Sequence, residues 1–220
     1  MSNETTPGLG ELLRAPGELM GFAEGRANNW RLAAFLALVT VAGCALFGFA
    51  VGSFVDLSVA ALDAAKMVGI AVFSFVLCYP TLYVFANISG SRLSAARLAF
   101  LGLVFTATLG SLLAALSPIL WLFSVSTENV AFIVVLSCVL AALSFAFVVR
   151  PVAAAAQKGI VAKTAGLHVW LVVFAIVALQ AVTLVRPMLA PIGTAREPDG
   201  KCFFLVHFGK SVSLGAASAR

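Results

Sequence analysis

The chain has 220 residues, of which 62% are hydrophobic and only 10% are charged. This composition excludes an ordinary soluble domain and indicates one compact bundle with most of its length in a membrane. The formal net charge is +5. No basic-aromatic recognition motif accompanies that charge, so we do not expect nucleic-acid binding.

The first part of the chain, residues 1–30, is mostly polar and lacks the pattern of a cleavable signal peptide. Within it, residues 9–22 predict an amphipathic helix along the membrane interface, which Pro16 would end, kink or restart. A flexible tail with scattered leucines is the alternative. The larger apolar side chains near one helical face are Leu9, Leu12, Leu13 and Met20.

Uncharged apolar stretches follow, and a bilayer core of roughly 30 Å needs about 20 apolar helical residues to cross it. Four of the stretches reach that length, and the fifth does so if its helix runs from near Thr164 to near Met188. The sequence therefore predicts an all-α fold, a polytopic transmembrane bundle of five spans over residues 31–190, followed by an extracytoplasmic tail, residues 191–220. The five stretches are residues 32–55, 67–91, 98–127, 130–149 and 169–185.

Basic residues are unevenly distributed between the loops. If five helices alternate in direction, the loops on one side contain only Lys66. This asymmetry predicts a cytoplasmic N-terminus and a C-terminus outside, because short basic loops stay in the cytoplasm. We also expect Arg92 and Arg97 to hold their loop at anionic lipid headgroups. The eight basic residues on the predicted cytoplasmic side are Arg14, Arg26, Arg31, Arg92, Arg97, Arg150, Lys158 and Lys163.

Small residues at helical spacing predict where helices pack closely. Gly48 and Gly52 form a GxxxG pair in the first stretch, and Gly110 and Ala114 form a small-xxx-small pair in the third. In lipid, close backbone approach at such residues supplies much of the attraction between helices. Such pairs pack a protein's own bundle more often than they join two chains.

Prolines and tryptophans mark further positions in the apolar stretches. Pro80 and Pro118 lie within the second and third stretches and favour kinks, which could either line a cavity or simply fit the bundle. Trp30, Trp121 and Trp170 lie near the ends of predicted spans, where tryptophan typically anchors a helix at the interface.

The predicted spans contain few ionisable or polar side chains. No acidic or basic residue lies at the middle of a predicted span. Asp63 and Lys66 stand at the mouth of the second span, and their spacing predicts an interfacial ion pair of little consequence. The most embedded polar side chains could form a weakly polar lining, and the candidates are Thr106, Thr108, Ser111 and Gln180.

Residues that could support catalysis or bind a metal are poorly placed. His168 and His207 fall on opposite sides of the predicted membrane, and no HExxH, GxSxG or P-loop motif is present. The cysteines show no zinc-site spacing. We therefore expect no cofactor, no metal and no enzymatic activity. The four cysteines are Cys44, Cys78, Cys138 and Cys202.

Several short segments resemble a known family. The sequence LLRAPGEL at residues 12–19, and YPTLYVFANISGSRLSAARLAF at residues 79–100, resemble bacterial Yip1-like integral membrane proteins. LSPILWLFSVSTEN at residues 116–129 and LVRPMLAPIG at residues 184–193 resemble the closing segments of a related group of uncharacterised five-helix bacterial proteins. The resemblance implies five spans in the bacterial inner membrane, a cytoplasmic N-terminus and a short outer tail. The DLYGP-type signature of the Rab-linked eukaryotic members is absent, so Rab binding is not expected.

Two functions remain open from the sequence. The first is a non-catalytic membrane scaffold or accessory subunit that contacts the lipid bilayer and other membrane protein subunits. The second is a component of a transporter or channel for a small solute, with the proline kinks and the candidate polar lining forming its path. A water-filled cavity would favour the second, and a dry, tightly packed bundle the first.

Overall fold

The computed structural model describes residues 30–88, 95–157 and 164–184, and these residues form helices joined by short turns, with no strand among them. The all-helical prediction is confirmed. The predicted interfacial helix of residues 9–22, the tail of residues 191–220 and Arg92 lie outside the described residues. The five helices are α1 (Trp30–Gly52), α2 (Leu57–Ile88), α3 (Ala95–Ser126), α4 (Val130–Gln157) and α5 (Thr164–Leu184).

Four of these helices are long and apolar enough to cross a bilayer, as expected of an integral membrane protein. The qualifying segments are Trp30–Gly52, Leu57–Ile88, Leu98–Ser126 and Phe132–Arg150. In α5 the continuous apolar part, His168–Val182, is shorter. The described residues thus contain four candidate spans, one fewer than the sequence predicts.

Polar caps fix the starts of two helices. Asp56 precedes α2 and accepts hydrogen bonds from the Leu57 amide at 2.7 Å and the Ser58 hydroxyl at 2.9 Å. Asn129 precedes α4, and its side-chain oxygen accepts a bond from the Phe132 amide at 3.3 Å. These contacts satisfy amide groups that have no partner inside the helix. We call this end of the bundle the Asp56 end, and the opposite one the Trp30 end.

Helix α1 lies between α2 and α3 and touches both through glycines. A Cβ atom at Gly43 would collide with the backbone of Gly110 in α3. On the α2 side, a Cβ at Gly48 would lie 2.9 Å from the Cα of Ala64, and one at Gly52 would lie 2.6 Å from the Cα of Ala60. Gly43 and Gly48 are about 140° apart around the helix axis, so two different faces of α1 make these contacts.

Apolar side chains fill the bundle in two clusters. The cluster nearer the Trp30 end contains residues of all five helices, among them Leu36, Cys78, Phe105, Val148 and Trp170. The cluster nearer the Asp56 end draws on α1 to α4, with Phe47, Leu113, Leu120 and Leu140 buried and Met67 packed against them. Helix α3 contributes to both clusters and is the most buried of the candidate spans.

We expect Gly43→Leu to destabilise the bundle by at least the 1–3 kcal/mol typical of overpacking, since α1 and α3 would have to separate. The free energy of unfolding in bicelles measures the effect. Gly69→Leu in α2 is the matched control, because a Cβ at Gly69 meets no atom within 4 Å. Equal destabilisation by the two variants would contradict the glycine contact as the cause.

Candidate functional site

Two pairs of polar side chains meet across the contact between α1 and α3. The Thr40 hydroxyl donates to the Leu36 carbonyl at 2.9 Å and lies 3.5 Å from the hydroxyl of Thr106. Near the Asp56 end, the hydroxyls of Ser53 and Ser124 are 3.2 Å apart. Short polar side chains and glycines therefore alternate along this contact, which we call the α1–α3 seam.

Three of the four candidate lining residues are buried in α3, and their hydroxyls bond to that helix's own backbone. Thr106 donates to the Gly102 carbonyl at 3.1 Å, Thr108 to the Val104 carbonyl at 2.8 Å, and Ser111 to the Ala107 carbonyl at 2.8 Å. Such bonds satisfy a hydroxyl hydrogen without help from water. The fourth candidate, Gln180, is half-buried on α5, a helix that packs mainly against α2.

The predicted packing residues fall at contacts between helices of this chain. Gly48 and Gly52 lie against α2, and a Cβ at Gly110 would lie 3.0 Å from the Cα of Thr40 in α1. Ala114 is half-buried one turn further along α3. Sequence reasoning overlooked Gly43, because it has no small residue four positions away and finds its glycine partner on another helix.

The Asp63–Lys66 pair is more deeply placed than the sequence suggested. The two side chains form an ion pair at 2.8 Å, with Asp63 0% exposed and Lys66 14% exposed. The expected pair exists near the start of α2, and its carboxylate is buried within the bundle. The cause is the glycine contact, since a Cβ at Gly48 would lie 2.5 Å from the Asp63 carbonyl oxygen. Close approach of α1 covers this part of α2.

Asp56, in the turn before α2, is fully exposed. Hydrogen bonds from the Ser58 hydroxyl and the Leu57 amide lower its pKa. A lowered pKa means that the ionised cap contributes stability above the ordinary pKa of an aspartate, and that this contribution disappears as the pH falls through the lowered value. The helix start is therefore insensitive to pH in the neutral range.

Trp170 of α5 is buried in the bundle, so the expected interfacial role of this residue is wrong. It is 1% exposed, and its indole N–H donates to the Cys78 carbonyl of α2 at 2.8 Å. Its ring also contacts Phe105 of α3 and Phe174 of α5, with centroids 5.5 and 5.6 Å away. Trp30 and Trp121 are exposed near helix ends, which is compatible with their predicted place at an interface.

Helices α2 and α3 both continue through their prolines. A proline lacks an amide hydrogen, so the carbonyl four residues earlier loses its usual donor. In α3 the Ser117 hydroxyl donates to that carbonyl, on Ala114, at 2.8 Å. The residue beside Pro118 thus replaces the bond that Pro118 cannot make.

Metal-ligating residues do not cluster within the described ranges, where no three His, Cys, Asp or Glu side chains come together. Arg97, a predicted headgroup contact, lies in the first turn of α3, and its side chain is outside the described part. No family model, curated protein or solved structure matches this chain.

We expect a double-mutant cycle to reveal the buried ion pair as an interdependent unit. Asp63→Leu alone removes the carboxylate that the Lys66 ammonium contacts, and we expect a loss near the lower end of the 3–5 kcal/mol seen for broken buried pairs, since Lys66 keeps some exposure. Asp63→Leu combined with Lys66→Met removes both charges, and we expect its unfolding free energy to lie close to that of the wild type. Additive losses in the cycle would show that the two charges act independently.

Proposed function

We propose that this protein is a non-catalytic scaffold or accessory subunit of a membrane complex, of the Yip1-like kind that its sequence resembles. The main support for the proposal is that the buried hydroxyls of α3 form hydrogen bonds to the backbone of their own helix. Thr106, Thr108 and Ser111 each donate to a carbonyl of α3, so their hydroxyl hydrogens are already engaged within the helix and are not offered to a passing solute. Glycine contacts on two faces of α1 support the same interpretation, because they bring backbones together where a path would separate them.

The proposal includes a fifth span. Helix α5 has 21 residues, which gives a length of about 32 Å, enough for a hydrocarbon core of about 30 Å. The bond between Trp170 and the Cys78 carbonyl supports this placement, because it joins α5 to a candidate span well inside the bundle. The partners we propose are the lipid bilayer and other membrane protein subunits.

The distribution of charge supports a cytoplasmic Trp30 end in a bacterial inner membrane. Arg31 is the second residue of α1, and Arg150 lies in the last part of α4, both towards the Trp30 end. Asp56 and Glu128 lie in the turns of the Asp56 end. Basic residues are retained in the cytoplasm and acidic residues carry little topological weight, so we propose that the Asp56 end and the C-terminal tail face outward.

A transporter or channel component is the second candidate, and one observation favours it. Asp63 is a fully buried carboxylate inside a candidate span, and ionisable residues in such positions often serve ion or proton movement. Its position counts against this role, since it lies about 9 Å from the start of α2, near one membrane surface. Its contact with Lys66 also supplies a fixed counter-charge.

Orientation can be tested with introduced thiols in the Cys202→Ser background. We expect Ser58→Cys, exposed at the Asp56 end, to react in intact spheroplasts with a membrane-impermeant maleimide, because that end should face outward. Ala95→Cys, exposed at the Trp30 end, should react only after lysis. In the wild-type chain, Cys202 should also react from outside. The opposite labelling pattern would reverse the proposed topology.

The two functions predict opposite sensitivities to mutation. For a scaffold, Gly48→Leu with Gly52→Leu should abolish copurification of partner proteins in mild detergent, because α1 and α2 could no longer meet. Thr106→Val, Thr108→Val and Gln180→Leu should change it little, since hydrogen bonds in bilayers average only about 0.6 kcal/mol. Solute flux through reconstituted wild-type protein that disappears in the Gln180→Leu variant would refute the scaffold proposal.

A further inference from the structure

Pro80 of α2 and Pro118 of α3 each deprive a carbonyl of its amide donor, and the two carbonyls differ in whether another group satisfies them. In α3 the deprived carbonyl is that of Ala114, and it receives the Ser117 hydroxyl at 2.8 Å. In α2 the deprived carbonyl is that of Val76, four residues before Pro80. The two helices therefore allow a direct comparison of a satisfied and a deprived carbonyl.

Side-chain donors near Pro80 bond to another carbonyl of α2. The Thr81 hydroxyl donates to the Cys78 carbonyl at 2.7 Å, and the Trp170 indole donates to the same oxygen at 2.8 Å. The hydroxyl of Tyr79, which precedes Pro80 as Ser117 precedes Pro118, donates to the Ala95 carbonyl at 3.1 Å. These three donors are thus engaged elsewhere, and none of them compensates Val76.

The Val76 carbonyl lies on a face of α2 that no other described helix covers. The Val76 residue is 60% exposed, and Pro80, towards which its carbonyl points along the helix, is exposed as well. In hydrocarbon, a transmembrane proline is tolerated because a neighbouring helix, a hydroxyl or a water satisfies the freed carbonyl. On this face no helix among the described residues supplies such a neighbour.

The same face has room for a second backbone. Gly69 lies two turns before Val76, about 10 Å away along the axis and on the same side of the helix. A Cβ at Gly69 would meet no atom within 4 Å, whereas the three glycines of α1 are tightly covered. Val72 and Phe73 lie between Gly69 and Val76 and are also exposed.

We propose that this α2 face, formed by Gly69, Val72, Phe73 and Val76, binds a transmembrane helix of a partner protein whose hydroxyl, amide or indole group donates a hydrogen bond to the Val76 carbonyl. The proposal rests on the accessory-subunit function and names the partner-binding site. The partial negative charge of the carbonyl defines the complementary group, a polar donor within an otherwise apolar helix. A second copy docked through the same face does not fit, because none of these four side chains carries a donor.

Site-specific photocrosslinking in native membranes tests the proposal with the full chain. A photoreactive residue at Phe73 should form an adduct with a transmembrane segment that contains Ser, Thr, Asn, Gln or Trp, identified by mass spectrometry. Pro80→Ala restores an amide donor to the Val76 carbonyl, and we expect the adduct to fall roughly 3- to 20-fold, the range for one hydrogen bond in a bilayer. Gly69→Leu should reduce it as well, by blocking close approach. Pro118→Ala is the matched control and should leave the adduct unchanged, because Ser117 already satisfies Ala114.

A second pair of variants separates the hydrogen bond from the shape of the helix. Tyr79→Ser places a hydroxyl where Ser117 stands relative to Ala114, so it can satisfy the Val76 carbonyl internally while Pro80 remains. Tyr79→Ala loses the same tyrosine contacts without supplying a donor. We expect the serine variant to give less adduct than the alanine variant. Equal adducts from the two variants would overturn the role of the carbonyl.

The remaining outcomes distinguish this proposal from the general function. An adduct from a probe at Val139, on the outward face of α4, together with a Phe73 adduct unaffected by Pro80→Ala and Gly69→Leu, would overturn the α2 site and leave the accessory function intact. An adduct between Phe73 and a differently tagged second copy would overturn the proposed occupant. The absence of protein adducts from both probes would overturn the site and the accessory function together.

Discussion

Direct contact between helix backbones at glycine is the interaction on which the bundle depends. Helix α1 meets α3 at Gly43 and α2 at Gly48 and Gly52. At each of these positions a Cβ atom would collide with the neighbouring helix. Apolar side chains gain little by leaving lipid for protein, so attraction in a membrane comes largely from van der Waals contact at such short range. The placement of the other buried groups follows from this arrangement of three helices.

Burial of charge is one consequence of that contact. Asp63 is covered because α2 lies directly against Gly48, and a larger residue there would hold the helices apart and expose the carboxylate. Lys66 then satisfies the charge from one turn away on the same helix. The ion pair is therefore a result of close helix packing as much as a contributor to it. Its charges are compensated within α2, which limits the energetic penalty of leaving water.

Sequence patterns predicted the helical class and most of the helices, but they predicted the boundaries and facing surfaces less well. The second apolar stretch begins at residue 67, whereas α2 begins at Leu57, because the Asp56 cap starts the helix before the charged residues end. Gly48 and Gly52 are recognisable by spacing within one helix. The Gly43–Gly110 contact depends on how two helices cross, which spacing alone does not contain. Trp170 was misplaced for a related reason, since a position near a span end does not reveal which side of the helix faces the bundle.

The parallel α1–α3 seam also has a consequence for biogenesis. The seam side of α1, with Gly43 and Thr40, can be covered only by a helix that leaves the ribosome roughly seventy residues later. At about 5–20 residues per second, that delay is on the order of 4–15 s. During this interval the Gly43 backbone and the Thr40 hydroxyl lack their contacts with α3. The α1–α3 seam therefore forms late in synthesis, after α2 has already been translated and packed against the other face of α1.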